Sequence, residues 1–383
     1  MSALQAVVSN ARSSAHIAHA LMSVTASTPT LVSAGAVEMA LQSLDRFKTL
    51  WPYMILALRR SHRLDRKHIV EELSRLWSEA PDFWDVDSVR GLARVAHSCF
   101  DIGLTRRALQ ALRQLQAPTT HDLLLEAHCH AACGDLQQAI GLCRTVLERS
   151  PHNTQAASLH GGWTHRQQGW HAPWHVQVAG PDGLWLEPLH LDHGPALAWQ
   201  YRDPAIAAKT LLPPLGHPLE ASDWIDHRLS DRHIVPYALL HREHGFIGSA
   251  EITVSGTEGF LCIWIGTDWQ GQGLGRRMVK MACEQAFRCG IETMLTAAYD
   301  DNKASLRVLR GCGFADVDIR AEVPDHDRTF LCLPSRPLAS DEIVRRLIGF
   351  ADRAETGLVF PMPASQSAAP DLQSQPIERK EEQ

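Results

Sequence analysis

The 383-residue sequence contains no uninterrupted apolar run of about 18 residues, the length from which a membrane-spanning helix is inferred. We therefore expect no membrane span. The sequence also has no excess of positive charge: its formal net charge is −6, so no overall positive field attracts a nucleic-acid backbone. We accordingly expect neither an integral membrane protein nor a general nucleic-acid-binding protein.

Charge is nearly missing from residues 1–37, where Arg12 is the one fully charged side chain. Serines and a histidine interrupt the apolar stretches there, so no secretory signal core is recognisable. We expect residues 1–40 to be a weakly ordered or helical lead-in. The nine cysteines are an odd number without the spacing of a disulfide scaffold, which favours a reducing, cytoplasmic setting.

The segment His128–Cys133, "HCHAAC", places two cysteines on one face of a predicted helix. A metal site is one interpretation, but no second ligand pair with zinc spacing follows. We interpret these cysteines as core residues and expect no metal.

The length and the pattern changes predict two domains. Residues 41–160 show helical periodicity broken by prolines, and residues 161–183, rich in His and Trp, read as a linker whose tryptophans pack between the domains. A metal-binding or substrate loop is the alternative for this segment. Strand and helix patterns then alternate over residues 184–354. Residues 355–383, rich in Pro, Ser, Gln and charge, predict a disordered tail.

The helical region contains a repeat. "DIGLTRRALQAL" (Asp101–Leu112) matches "ACGDLQQAIGLC" (Ala132–Cys143) when Gly103 is set on Gly134, an offset of 134 − 103 = 31. The second unit resembles a tetratricopeptide repeat in its small residues, its inter-helix turn and its terminal proline, at Ala127, Gly134, Asp135, Ala139, Pro151 and Asn153. The resemblance implies stacked helix pairs with a concave face, and a plain helical bundle is the alternative.

In the second half, strands are predicted at "LWLEPLHL", "VPYALLHR", "GFIGSAEITV", "FLCIWIGT", "TMLTAAY", "ADVDIRAEV" and "RTFLCLP". Helices are predicted at "GPALAWQYRD", at "EASDWIDHRL" and over residues 273–289, 303–312 and 340–353.

The stretch "WQGQGLGRR" (Trp269–Arg277) joins a predicted strand to a predicted helix through three glycines. Such a turn presents several backbone N–H groups at the positive end of the helix dipole, which makes an anion site of pyrophosphate size. The order G-x-G-x-G differs from the dinucleotide fingerprint. A P-loop is excluded because Arg276 and Arg277 stand where Lys and Ser or Thr are needed.

Two motifs in order carry a family resemblance. Gln270, Gly273 and Gly275 match the pattern Q/R-x-x-G-x-G/A, and "DNKASLRVLRGCGF" (Asp301–Phe314) matches a downstream N-x-x-S motif with a closing Gly-Phe. Residues 184–334 therefore resemble the GNAT superfamily of acyl-CoA-dependent N-acyltransferases, in the branch that acetylates ribosomal-protein N-termini. The implied fold class is α+β: an N-terminal all-α repeat-like domain, then a mixed α/β domain with a central, mostly antiparallel twisted sheet.

The resemblance implies a site for acetyl-CoA or a longer acyl-CoA. The turn residues that would hold its pyrophosphate are Gln270, Gly271, Gln272, Gly273, Leu274, Gly275 and Arg276. The backbone of Ile263, Trp264 and Ile265 would pair with the pantetheine arm, Asn302 would bind that arm, and Ser305 and Arg310 would contact phosphate or adenine. A parallel strand pair is expected to splay after Gly266, so that the thioester enters the gap and an amine attacks it directly.

The sequence departs from the family at two positions where other members have a side chain that transfers a proton. Leu309 stands where many members place a tyrosine as general acid, and Phe260 stands where the related branch often has a glutamate base. We consider Glu251, Glu258 and Tyr299 as catalytic candidates, each with an ordinary structural interpretation as the alternative. Cys262 is interpreted as a packing residue.

The predicted function is transfer of an acetyl or longer fatty acyl group to an amine of a peptide or protein, with the helical domain helping to bind that acceptor. A longer chain would lie behind Phe260, Leu261 and Cys262. One alternative is a degenerate domain that binds coenzyme A as an adaptor. Another is a small-amine acetyltransferase that attracts its substrate with Asp226, Asp231 and Glu243. A homodimer is a further possibility that we consider.

Overall fold

The computed structural model describes residues 37–60, 64–79, 82, 84–210 and 212–361. Most of the lead-in (1–36) and most of the tail (362–383) therefore lie outside the described residues. The first half of the described chain is helical, with α1 (Leu44–Arg60), α2 (Arg66–Glu79), α3 (Val86–Ser98), α4 (Ile102–Leu115), α5 (Thr120–Ala132), α6 (Leu136–Arg149) and α7 (Thr154–Gln168). No helix in the described ranges is both long enough and apolar enough to cross a membrane.

The helices repeat with a period of 34 residues, which the positions of their N-caps define. Asp85, Thr119 and Asn153 cap α3, α5 and α7, so the spacings are 119 − 85 = 34 and 153 − 119 = 34. Asp101 and Asp135 cap α4 and α6, again with 135 − 101 = 34. Each cap side chain accepts a hydrogen bond from a backbone N–H in the first turn of its helix, which stabilises the helix start.

The offset of 31 predicted from the sequence is wrong, because it aligned the two glycines. Gly103 lies inside α4, whereas Gly134 forms the turn between α5 and α6 with φ +82°. The equivalent of Gly134 is Phe100 (134 − 100 = 34), which has φ +62°. A phenylalanine in this left-handed conformation is rare, so aligning the glycines misses the true register, which the capping residues Asp101 and Asp135 carry.

The cysteines of "HCHAAC" lie in the helical core. Cys129 and Cys133 are buried in a cluster with Leu109, Leu112 and Leu125. Within the described part of the chain, no group of three or more His, Cys, Asp or Glu side chains is placed to hold a metal ion.

The linker expected over residues 161–183 is shorter in the structure. Helix α7 continues to Gln168 because Trp163 and Arg166 are buried on one of its faces, with 4% and 5% of their surfaces exposed. Trp163 and Trp170 pack with the helices, while Trp174 packs against the core of the sheet. The tryptophans of this segment are thus divided between the two halves of the molecule.

The second half contains a mixed sheet and its flanking helices. The strands are β1 (Val178–Ala179), β2 (Leu184–Pro188), β3 (Ile234–His241), β4 (Gly245–Ser255), β5 (Glu258–Ile265), β6 (Thr293–Tyr299), β7 (Ala315–Asp316) and β8 (Arg328–Pro334). The helices are α8 (Gly194–Gln200), α9 (Pro204–Thr210), α10 (Pro218–Ser230), α11 (Leu274–Arg288), α12 (Lys303–Gly311) and α13 (Ser340–Arg353).

Among the described residues the strands form one sheet in the order β1-β2-β3-β4-β5-β6-β8-β7. Every neighbouring pair is antiparallel except β5 and β6, which run parallel. Helices α11 and α12 bury their apolar sides on one face, and α8, α10 and α13 contribute to clusters on the other face. This is the expected helical domain followed by a mostly antiparallel α/β domain.

The strand predicted at "ADVDIRAEV" is mostly wrong. Pairing in β7 ends at Asp316, after which Val317 and Ala321 are buried against Leu347 and Phe350 of α13. Packing on this helix takes the chain away from the sheet edge. The described start of the tail is also packed, because the Phe360 ring lies 5.1 Å from that of Phe330.

The two halves meet at a buried ion pair. Arg166 of α7 donates to the carboxylate of Glu187 on β2, a side chain with no exposed surface, and its second terminal nitrogen lies 3.4 Å from Asp192. Beside this pair, Gln177 donates to the backbone oxygen of Gly134 at 2.7 Å. A Cβ on Gly134 would lie 2.8 Å from Gln177, so this turn needs glycine for its close approach as well as for its φ.

His97 makes the helical domain sensitive to acid. Burial lowers the pKa of His97 from 6.5 to about 4, with a smaller effect from the nearby ring of His128. Below pH 6.5 the unfolded chain therefore binds a proton at this histidine that the folded chain does not bind. The free energy of unfolding thus decreases as the pH is lowered. We expect His97→Gln to reduce this loss by about 2 kcal/mol between pH 7 and pH 5, measured by urea unfolding at both values.

The control is His68→Gln, which changes an exposed histidine of α2. It should retain the full loss of stability on acidification. Equal pH dependence in the His97 variant and this control would contradict the assignment.

Candidate active site

A cleft opens where β5 and β6 separate. The parallel ladder joins these strands at three residue pairs, Glu258 with Thr293 through Phe260 with Leu295. On its other edge β5 stays paired with β4 as far as Ile265. The strands therefore separate after Phe260, not after Gly266 as the resemblance implied, and a cavity of about 560 Å³ lies in the gap.

The open edge of β5 presents backbone groups to this cavity. The carbonyl of Leu261 accepts a hydrogen bond from Thr296 of β6 at 2.8 Å, and that of Ile265 accepts one from the Gln270 side chain at 3.0 Å. Backbone groups alternate in direction along a strand, so those of Ile263 point to the same side. This edge can pair with an extended chain that carries amides.

The glycine turn closes one end of the cavity. Gly271 and Gly273 both have φ +76°, and no atom lies within 4 Å of where a Cβ would be on either. Gly273 is the N-cap of α11 and has no side chain that could cap its N–H groups. These groups, at the positive end of the helix dipole, can bind an anion placed in the open space.

Basic and polar side chains extend the site toward α12. Arg276 donates to the carbonyl of Gly311 at 2.7 Å, which fixes its guanidinium beside the turn, and Arg307 lines the same cavity. Asn302 is the N-cap of α12, and its side-chain oxygen accepts from the N–H of Ser305 at 3.1 Å. Its amide nitrogen can donate to a ligand.

Most of the predicted acyl-CoA residues share this cavity: Ile263, Trp264, Ile265, Gln270, Gly271, Gly273, Leu274, Gly275, Arg276, Asn302 and Ser305. Gln272 and Arg310 do not line it. Gln272 donates to the carbonyl of Asp268 at 3.2 Å, and Arg310 forms two hydrogen bonds with Asp316, at 2.8 and 2.9 Å. The Arg310 side chain therefore stabilises the end of α12.

Two of the three catalytic candidates lie outside the lining of the cavity. Glu258 is held by Arg346 at 3.0 Å and Arg353 at 2.7 Å, so it joins β5 to α13. Glu251 lies 3.2 Å from Arg228 of α10. Burial raises the pKa of Glu251, and the charge of Arg228 opposes that rise.

Tyr299 is the candidate that lines the cavity, at the end of β6. A terminal nitrogen of Arg328 lies 3.4 Å from its hydroxyl, and the Arg328 guanidinium lies 5.0 Å from the ring centre. Leu309 also lines the cavity and is almost fully buried. Tyr299 therefore provides a hydroxyl in this cleft, whereas the Leu309 side chain has no group that could donate a proton.

Cys262 lines the cavity opposite Glu251 in the β4–β5 ladder. Burial raises the pKa of its thiol to about 12, with a further contribution from the charge of Glu251. The thiol stays protonated at neutral pH and is a poor nucleophile.

One wall of the cavity was not predicted. Helix α9 contributes Ile206, Lys209 and Thr210, preceded by Asp203. Asp203 accepts from the N–H of Ala205 at 2.8 Å and from the Thr267 hydroxyl at 3.0 Å. The sequence signal was present, since an Asp followed by Pro is typical of a helix start.

The comparisons with known proteins match the second half of the chain. A family model described as acetyltransferase (GNAT) domain matches residues 183–315. None of the curated protein sequences compared with this chain matches it. Among solved structures, RimL, a ribosomal L7/L12 alpha-N-protein acetyltransferase in complex with coenzyme A, has 16% identity and a TM-score of 0.39, and the match covers 42% of this chain and 98% of that one.

Two further structures have similar scores. RimJ from Mycobacterium smegmatis has 16% identity and a TM-score of 0.39, over 47% of this chain and 96% of that one. Spermidine N-acetyltransferase from Vibrio cholerae has 14% identity and a TM-score of 0.36, over 40% of this chain and 95% of that one. The family match thus lies in the sheet-containing half of the chain, from just before β2 to the start of β7, and supports an acetyltransferase (GNAT) domain over residues 183–315.

Proposed function

We propose that this protein transfers an acetyl group from acetyl-CoA to an amine of a peptide or protein. The observation that carries the proposal is the continuity of one cavity, which runs from the open edge of β5 to the glycine turn before α11. The strand edge would pair with the pantetheine amides, and the N–H groups of the turn would hold the pyrophosphate. Arg276 and Arg307 supply positive charge beside that turn.

The chemistry we propose is direct transfer. The neutral amine attacks the thioester carbonyl, the C–N bond forms, the C–S bond breaks, and coenzyme A leaves as a thiolate that takes up a proton. The amine loses a proton in the same reaction. The high pKa of Cys262 supports this route over an acyl-enzyme, because a protonated thiol does not compete with the amine.

We propose that Tyr299 donates the proton to the departing thiolate, since it is the candidate that lines the cavity. Tyr299→Phe keeps the ring and removes the hydroxyl. We expect kcat to fall about 100-fold while KM for acetyl-CoA stays within about twofold, measured by steady-state thiol release. Tyr53→Phe, which changes a tyrosine of α1, is the matched control, and equal kcat in the two variants would contradict this role.

We propose a short donor because the Phe260 ring lines the cavity on the side where a longer acyl chain would lie. The rings of Phe260 and Phe350 stack with their centres 5.7 Å apart. Phe260→Ala would open this space, so we expect the ratio of kcat/KM for octanoyl-CoA to that for acetyl-CoA to rise about tenfold. An unchanged ratio in a folded variant would show that this ring does not set the donor length.

The acceptor class is inferred from the helical half. The 34-residue period of its helix pairs equals that of tetratricopeptide repeats, which supports a stacked array with a concave face. We propose that this face helps to bind a peptide or protein acceptor. The solved structures named above are described as acting on a ribosomal protein in one case and on spermidine in another, so they do not select an acceptor class.

The test is mass spectrometry of acceptors incubated with the full chain and acetyl-CoA. A random peptide library, a set of folded ribosomal proteins and a set of polyamines would be offered separately. Acetylation of peptides or proteins supports the proposal. Acetylation of polyamines alone favours the small-amine alternative, and coenzyme A binding without any product favours an adaptor.

A further inference from the structure

A second cavity, of about 230 Å³, lies between the helical domain and the acetyltransferase domain. Arg59, Arg66 and Phe100 line it from the helical side, and Trp199 and Arg202 line it from α8 and the residues that follow. It shares no lining residue with the donor cavity. Its walls thus combine three guanidinium groups with the rings of Phe100, Trp199 and His97.

Arg66 is the unusual member of this set. It is 5% exposed, one of its terminal nitrogens donates to the carbonyl of Leu58 at 3.1 Å, and the other donates to the carbonyl of Ser98. Its Nε is buried and has no hydrogen-bond partner, and no carboxylate among the described residues forms an ion pair with it. The two carbonyls belong to helix ends, so they use two of the five N–H donors of Arg66 and leave the Nε–H without a partner.

Of the other two arginines that line the cavity, one is paired with a carboxylate and one is not. Arg202 lies 3.6 Å above the Trp199 ring and donates to Asp268 at 3.1 Å, so its charge is paired. Arg59 is exposed, and no acidic partner for it is found in the parts of the chain that the structure describes. Within the described residues, Arg59 and Arg66 therefore form no ion pair, and the Arg66 guanidinium lies 4.9 Å from the centre of the Phe100 ring and 5.4 Å from that of Trp199.

We propose that this cavity binds an organic carboxylate, with the acid group on Arg66 and Arg59 and its carbon chain against Trp199 and Phe100. Arginine donors match the planar geometry of a carboxylate, and the aromatic rings favour an apolar body over a free inorganic ion. The volume suits one small acid or one acidic side chain. The carboxylate is supplied either by a free organic acid or by an acidic residue of a bound peptide.

An ion pair connects this second cavity to the glycine turn before α11. Arg202 contacts Asp268, and Asp268 lies two residues before Gln270. Lys67 of α2, from the helical side, lies 3.9 Å from the same aspartate. The proposal concerns binding alone and stands whether or not the chain transfers an acyl group.

Calorimetry on the full chain tests it with two matched pairs of probes. The first pair is 3-phenylpropionate and its amide, and the second is the blocked tripeptide Ala-Glu-Ala and its Ala-Gln-Ala equivalent. We expect at least one carboxylate to bind and its amide not to bind. Binding of the free acid alone identifies a small-molecule site, and binding of the Glu peptide alone identifies an acceptor subsite.

Three variants locate the binding. Arg59→Gln, at an exposed position, should weaken carboxylate binding about tenfold, and Arg66→Met should abolish it. Arg46→Gln, an exposed change on the same helix, should leave it unaltered. If Arg66→Met does not fold, Arg59→Gln and Trp199→Leu decide the question.

Two results would overturn the proposal. The first is that neither carboxylate binds, or that acid and amide bind equally. The second is that Arg59→Gln binds the carboxylate as tightly as Arg46→Gln does. In either case Arg66 serves to join the ends of α1 and α3 and has no ligand.

Discussion

Gly273→Val is expected to weaken coenzyme A binding at least about 100-fold, measured by calorimetry on the full chain. Gly273 has φ +76°, a conformation that a β-branched residue does not tolerate. The new side chain would also project into the open space in front of the α11 N-terminus, where we place the pyrophosphate. Both effects remove charge-assisted hydrogen bonds from backbone N–H groups to the ligand.

The matched control is Gly290→Val at the other end of the same helix. Gly290 has φ +95° and, like Gly273, no atom within 4 Å of the position that a Cβ would take. The change therefore introduces the same kind of backbone strain without touching the turn. Coenzyme A should bind normally to this variant, and equal loss in both variants would show that strain, not the turn, determines binding.

Arg166→Met is expected to destabilise the protein by about 3–5 kcal/mol in urea unfolding. The change leaves Glu187 as an unpaired charge with no exposed surface at the junction of the two halves. Burial already raises the pKa of Glu187, and the charge of Arg166 counters that rise. Without the arginine, the carboxylate must either stay charged and unpaired or take up a proton.

Two further variants separate the cause from a general loss of packing. Arg166→Met combined with Glu187→Gln removes both charges and should recover much of the lost stability. Arg288→Met breaks an exposed pair, 3.8 Å long, with Glu284, and should cost less than about 1 kcal/mol. If the double variant is no more stable than Arg166→Met, the cost comes from lost packing and not from an unpaired charge.

The glycine turn and the Asn302 cap could be predicted from the sequence because their geometry is local. Gly273 and Asn302 are both N-caps, and each organises a helix start through residues within a few positions along the chain. Such short-range geometry is carried by residue type and spacing alone. Eleven of the thirteen residues that the resemblance implied therefore line the cavity.

What could not be predicted depends on contacts between distant segments. The Glu258 candidate is held by two arginines of α13, nearly a hundred residues away along the chain. The 34-residue register was hidden because Phe100 takes a backbone conformation that its residue type does not suggest. The pairing of Arg166 with Glu187 likewise depends on how the two halves pack together. For Glu258 and for the Arg166–Glu187 pair, tertiary packing determines the result, and the residue pattern carries no signal for it.

The central claim is direct acyl transfer in the cavity between β5 and β6. The most direct measurement follows free coenzyme A thiol and acetylated peptide in the same reaction, with acetyl-CoA and the peptide library as substrates. The account predicts that both products appear together in equal amounts, and that the Gly273→Val variant forms neither. Tight coenzyme A binding with no thiol release and no acetylated product, over the whole set of acceptors, would contradict it.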